Sequence, residues 1–156
     1  MSPMSQKSKR GGDFMSPAAA PAPSDESPGG EWWGRELFLV GRGPYSPCPE
    51  IIDVTGLARV LVFGPYRELP AGIWRATVTL DVSPDAARRP LDVQFGKLPD
   101  YTTSPLPFGV PGRHTVKLEY VLRKSGLAEV RVNLKRAAFH GEIRLFGAKV
   151  ERAGDC

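Results

Sequence analysis

From Ile73 to Val82 apolar and polar side chains alternate without a break. Trp74, Ala76, Val78, Leu80 and Val82 fall on one side, and Arg75, Thr77, Thr79 and Asp81 on the other. A period of two over this length is the signature of a β-strand, whose successive side chains leave opposite faces. It predicts a sheet with one face buried and one in water. The segment just before it, from Phe63 to Gly72, reads as a strand end followed by a turn-rich corner, because Gly64, Pro65, Pro70 and Gly72 crowd into it.

The same period returns further along. Leu91, Val93 and Phe95 alternate with Asp92 and Gln94; Val116, Leu118, Tyr120 and Leu122 alternate with Lys117 and Glu119 behind Thr115; Ala128, Val130, Val132 and Leu134 alternate with Glu129, Arg131 and Asn133. Leu57 to Phe63 is apolar on both faces except at Arg59, which suits a central strand. Glu36 to Val40 reads as a first strand and Ile51 to Val54 as a short edge strand. Leu98 to Pro111 reads as a long loop with four prolines, and Lys135 to His140 as one helical turn or a loop. The last strand runs from Glu142 to about Glu151, and its phase changes near Gly147, which predicts a bulge there. The sum is seven or eight strands, no helix of note and no internal repeat. Two packed antiparallel sheets, as a jelly roll or related Greek-key sandwich, bury such strands economically. The 17 Gly and 16 Pro of the chain fit many turns between short elements.

Residues 1–30 stand apart. They are rich in Ser, Pro, Ala and Gly and hold almost no large apolar side chains, so they cannot offset their ordering entropy. We expect a disordered tail over 1–30 and one β-sandwich domain over 31–156. The tail carries no apolar run of the length that a secretory leader needs, and no stretch is long and apolar enough to cross a membrane as a helix. A cytoplasmic location is the resulting expectation.

The formal charge is +4, and residues 1–30 balance their own charges, which leaves 18 basic against 14 acidic residues in the domain. The longest basic runs are the pairs Arg88-Arg89, Arg123-Lys124 and Lys135-Arg136. A nucleic-acid binder gathers its cations on one face or in a run, so nucleic acid is not an expected partner. Cys48 and Cys156 have no Cys or His at ligand spacing; a disulfide between them stays open, and two separate thiols are the expectation. His114 and His140 form no ligand pair, no nucleophile elbow occurs, and Gly41-Arg42-Gly43 lacks the strand-to-helix setting of a phosphate loop. No enzyme, metal or cofactor is expected.

The remaining lead is aromatic. Trp32, Trp33, Tyr45, Tyr66 and Tyr101 all fall in expected loops or at element edges. Rings of this kind stack on the flat C–H faces of sugars while nearby polar groups serve the hydroxyls. The alternative for each ring is packing, with Trp32 and Trp33 plugging the end of the sandwich and Tyr66 closing a corner. Trp74 belongs with the core by its phase.

The run from Phe63 to Ala76, FGPYRELPAGIWRA, resembles a pattern in bacterial β-sandwich accessory domains similar to the jelly-roll carbohydrate-binding modules, some of them in proteins linked to surface polysaccharide. Residues 111–116 and 138–148 fit the later strands of such domains, and the resemblance covers roughly residues 35–152. Its motifs are turn glycines and core positions, so it implies the fold and a non-catalytic, carbohydrate-binding role and assigns no binding residue. Modules of this sort often hold a structural Ca²⁺, for which no Asp-rich loop is present here. On this reading Trp32, Trp33, Tyr66 and Tyr101 are stacking surfaces, with Arg67, Asp100 and Arg113 as polar partners to a glycan. The alternative is a structural or protein-interaction domain that self-associates through a sheet edge.

Overall fold

The computed structural model describes residues 30–41 and 44–154. Apart from Gly30, the tail expected over residues 1–30 lies outside them, as does Cys156. The described residues form eleven strands in two antiparallel sheets: β1 (Glu31–Gly34), β2 (Leu39–Val40), β3 (Ser46–Pro47), β4 (Ile52–Asp53), β5 (Arg59–Leu69), β6 (Gly72–Val82), β7 (Leu91–Lys97), β8 (Asp100–Pro105), β9 (Gly112–Leu122), β10 (Gly126–Leu134) and β11 (Glu142–Gly154). Eight have four residues or more, and β2, β3 and β4 have two each.

One sheet runs β1-β11-β6-β9, with β4 on the far end of β11, and the other runs β3-β2-β5-β10-β7-β8. Among the eight longer strands, first pairs with last, second with seventh, third with sixth and fourth with fifth: β1 with β11, β5 with β10, β6 with β9 and β7 with β8. That is a single long hairpin rolled into two layers, the jelly roll. The expected all-β sandwich is therefore the observed fold.

The alternating strands place their apolar halves between the sheets. Trp74, Ala76, Val78 and Leu80 of β6 and Val93, Phe95, Val130 and Val132 of β7 and β10 belong to one buried cluster. Each fully buried aliphatic or aromatic side chain there contributes on the order of 1.5–3 kcal/mol. The bulge expected near Gly147 is present: the β11–β6 register shifts between Leu145 and Gly147, and Gly147 takes φ 146°. A side chain could not follow there, since a Cβ would lie 2.8 Å from Cζ2 of Trp32.

Several local expectations are corrected. Trp32 and Trp33 sit in a strand, β1, not in a loop. Glu36 to Val40 is not one strand: Arg35–Leu37 form a 3-10 turn and only Leu39–Val40 pair. The long loop from Leu98 to Pro111 contains β8, whose Thr-rich stretch was masked by prolines; β8 is an edge strand, where Pro105 at its end removes no needed ladder bond. A one-turn helix, α1 (Pro84–Ala87), follows β6, with Ser83 accepting from Ala86 N at 3.3 Å and Pro at the first position. The corner after Phe63 is also displaced. β5 continues through Gly64, Pro65 and Tyr66 to Leu69, and the chain changes sheets only at Pro70 and Ala71. What the glycine and proline provide is a bulge inside the strand: the register against β10 shifts between Pro65 and Arg67, leaving Tyr66 as the extra residue, with φ 61°.

Candidate functional site

The outward positions of the β5-β10-β7-β8 sheet form a grid. Pro65, Glu129, Gly96 and Tyr101 make one row; Phe63, Arg131, Gln94 and Thr103 the next; Val60, Asn133, Asp92 and Pro105 the third. Because Val130 and Val132 face the core, their neighbours Glu129, Arg131 and Asn133 must face away from it. The middle of this face is a hydrogen-bonded polar network. Asn133 Nδ2 donates to Asp92 Oδ1 at 2.7 Å and to Gln94 Oε1 at 2.9 Å, and Gln94 Nε2 donates to Thr103 Oγ1 at 3.2 Å.

Glu129 is the most unusual residue of this face. It is 2% exposed although it points away from the core. Tyr101 donates its hydroxyl to Oε2, while Oε1 is buried with no hydrogen-bond partner among the described residues. Burial, followed by the charge of Glu129, pushes the Tyr66 hydroxyl up to about 12. Tyr101 is pushed to about 12 as well, by burial first and then by its bond to Glu129, against the opposing pull of Arg131. Arg131 in turn lies over the Tyr101 ring, 5.0 Å from its centroid.

Beside this network, on the β5 side, an open groove of about 310 Å³ is walled by Tyr45, Val60, Phe63 and Tyr66, with Arg59 and Arg131 as its charged members. The bulge at Tyr66 turns its ring onto Phe63, 6.3 Å between centroids, and Tyr45 meets Phe63 edge-on at 5.0 Å. Phe63 is buried beneath the two tyrosines, which are 57% and 44% exposed for Tyr45 and Tyr66. Beyond Arg59 the groove opens into a second cavity of about 470 Å³, which shares Gly41, Arg59 and Val60 with it.

The expected site residues divide among three places. Tyr66 and Tyr101 meet at Glu129 on the outer face just described. Arg67 stands next to Tyr66 but pairs with Ala128, and Asp100, at the β7–β8 turn, accepts from Tyr120 at 3.3 Å. Trp32 and Arg113 lie on the outer face of the other sheet: Trp32 beside Lys149, Arg113 in a 2.8 Å ion pair with Asp81. Trp33 is fully buried, packed edge-on against Phe95 at 6.3 Å, so it is a core residue and cannot stack on a ligand. The seven residues thus do not form one surface. Sequence reasoning passed over Glu129, Arg131, Gln94 and Asn133 as wet-face positions. Their polar, hydrogen-bonding character on two alternating strands was the available signal, but it gains meaning only when β7 and β10 are neighbours.

Among the described residues no group of three or more His, Cys, Asp or Glu side chains is placed to hold a metal ion. Cys48 is free and buried, its thiol pushed up to about 11 by burial.

No protein-family model matches the chain, and no curated protein matches it. Among solved structures it is similar to TmCBM61, determined in complex with beta-1,4-galactotriose, at 9% identity and TM-score 0.48, over 81% of this chain and 84% of that one. An overlap that loose does not carry residues from one protein to the other.

Proposed function

We propose that this protein is a non-catalytic module that binds carbohydrate on the outer face of its β5-β10-β7-β8 sheet. The observation that carries the reading is the groove where exposed Tyr45 and Tyr66 stand over Phe63 beside Arg131 and the polar network of Asn133, Gln94 and Thr103. A sugar ring offers an apolar face to the tyrosines and hydroxyls to the arginine and amides, a combination of aromatic wall and few polar groups that suits small-ligand recognition. Two features speak for binding without turnover. Glycoside hydrolysis uses paired carboxylates roughly 5–10 Å apart across the bond. Among the described residues no carboxylate lines this groove, and Glu129 is withdrawn behind tyrosines. The test is calorimetric titration with a panel of neutral and acidic oligosaccharides, comparing the native chain with Tyr66→Ala. Binding weakened by the substitution supports the reading, and no binding to any sugar at millimolar concentration refutes it.

A second reading, a protein-interaction domain, draws on one end of the sandwich. There the loops expose Leu57, Phe108 and Phe139 at 68%, 69% and 77%. Sedimentation of the native chain and of a Phe108→Ser, Phe139→Ser variant distinguishes it: self-association lost in the variant favours this role.

A further inference from the structure

The charged groups of the aromatic groove have one sign. Arg59 and Arg131 line it, and among the described residues no acidic side chain does. Both guanidinium groups are held in place by partners within the fold. Arg59 donates to the carbonyl oxygens of Val54 at 3.2 Å, Leu57 at 3.0 Å and Asp53 at 3.2 Å, which fixes its position, and no ion pair joins it to a carboxylate, although its charge is felt by Asp53. Arg131 lies over the Tyr101 ring, and no carboxylate of the described residues comes within ion-pair distance of it. Glu129, two residues away on the same face, is 2% exposed and gives one oxygen to the Tyr101 hydroxyl. The wall therefore offers two guanidinium groups, with the buried Glu129 and, behind Arg59, the Asp53 carboxylate as their negative neighbours. On the opposite sheet three arginines are balanced directly: Arg75 by Glu119 at 2.7 Å, Arg113 by Asp81 at 2.8 Å and Arg144 by Glu50 at 2.8 Å.

We propose that the groove is selective for a carboxylate-bearing sugar, a uronic acid unit, whose ring rests on Tyr45 and Tyr66 and whose carboxylate faces Arg131 and Arg59. This rests on the carbohydrate reading above and narrows it. A guanidinium presents a planar fork of donors that matches a carboxylate, and the pairing is strongest where aromatic walls exclude water. A neutral hexose leaves both charges unanswered.

The test titrates the full chain with trigalacturonate, its methyl ester and galactotriose, at low and high salt. Esterification removes the charge and keeps the ring. The acid should bind at least about tenfold tighter than the ester at low salt, and the advantage should shrink at high salt as screening shortens the range of the charges. In Arg131→Gln the ratio of acid to ester affinity should fall toward one, and Arg131→Lys should keep part of it; thermal melts confirm that the variants fold. Equal affinity for acid and ester, or a ratio unmoved by Arg131→Gln, overturns the selectivity while leaving carbohydrate binding in place. If none of the three sugars binds at millimolar concentration, the carbohydrate reading falls and this inference falls with it.

Discussion

Tyr101 on β8 gives its hydroxyl to Glu129 on β10, reaching across Gly96 of β7, the strand between them. The three residues form one row of the sheet's outer face. The bond joins an edge strand to the sheet centre and keeps a carboxylate out of water.

That bond has a signature at alkaline pH. The hydroxyls of Tyr66 and Tyr101 are both raised to about 12, by burial first and by Glu129 second. A tyrosine raised from about 10 keeps its proton longer in the folded chain than in the unfolded one. Its contribution to stability is therefore complete below pH ~10 and is lost as pH climbs through about 12. Ultraviolet titration of phenolate should find Tyr66 and Tyr101 late, with Tyr120 also raised, by burial and then by Asp100. Glu129→Gln should bring Tyr66 and Tyr101 downward but leave them above the ordinary value, because burial remains. Unchanged late titration in Glu129→Gln would show that the carboxylate does not act on them.

Gly96 should tolerate no side chain. A Cβ there would lie 2.9 Å from the Tyr101 Cα and 3.1 Å from Tyr120 Cδ1, and backbone cannot step aside cheaply. Gly96→Ala should cost about 1–3 kcal/mol, typical of overpacking. Part of the loss should appear as faster amide exchange in β8. Equal stability by denaturant titration would mean that β8 is held less closely than described.

The two adjacent tryptophans should behave oppositely. Trp33 is buried against Phe95, and Trp33→Ala should cost roughly 3–5 kcal/mol. Trp32 covers Gly147 on the outer surface, and Trp32→Ala should cost far less. Chemical unfolding of the two variants checks the difference.

Arg113 should matter for folding and not for ligand. Its partner Asp81 has a side chain only 3% exposed, so Arg113→Ala strands a buried carboxylate. The loss should be about 2 kcal/mol, below the ~3–5 kcal/mol of a wholly buried pair, since Arg113 keeps 30% of its side chain in solvent. Sugar affinity, measured on the folded fraction, should not change, because Arg113 is on the opposite sheet from the groove.

The sandwich was legible because its determinants are local. Alternation in β6, β7, β9 and β10 records which residues face inward, and the phase break at Gly147 records the bulge. β8 was hidden because an edge strand tolerates proline and shows little alternation. The site was less legible for a different reason: it is a relation between strands. Tyr66 and Tyr101 were recognisable as surface aromatics, but their common neighbour Glu129 depends on β10 lying between β5 and β7. Trp32, Trp33 and Arg113 look like equals of Tyr66 in a sequence. Only the register of β1 on β11 and of β9 on β6 sends them to the core and to the opposite face.

The central claim is that one face of the molecule binds sugar, and amide chemical-shift mapping tests it most directly. The account predicts that adding an oligosaccharide, trigalacturonate first, moves the resonances of Tyr45, Phe63, Tyr66 and Arg131 and leaves those of Trp32, Thr77 and Arg113 in place. Shifts centred on the β1-β11-β6-β9 face, or none with any sugar at millimolar concentration, would contradict it.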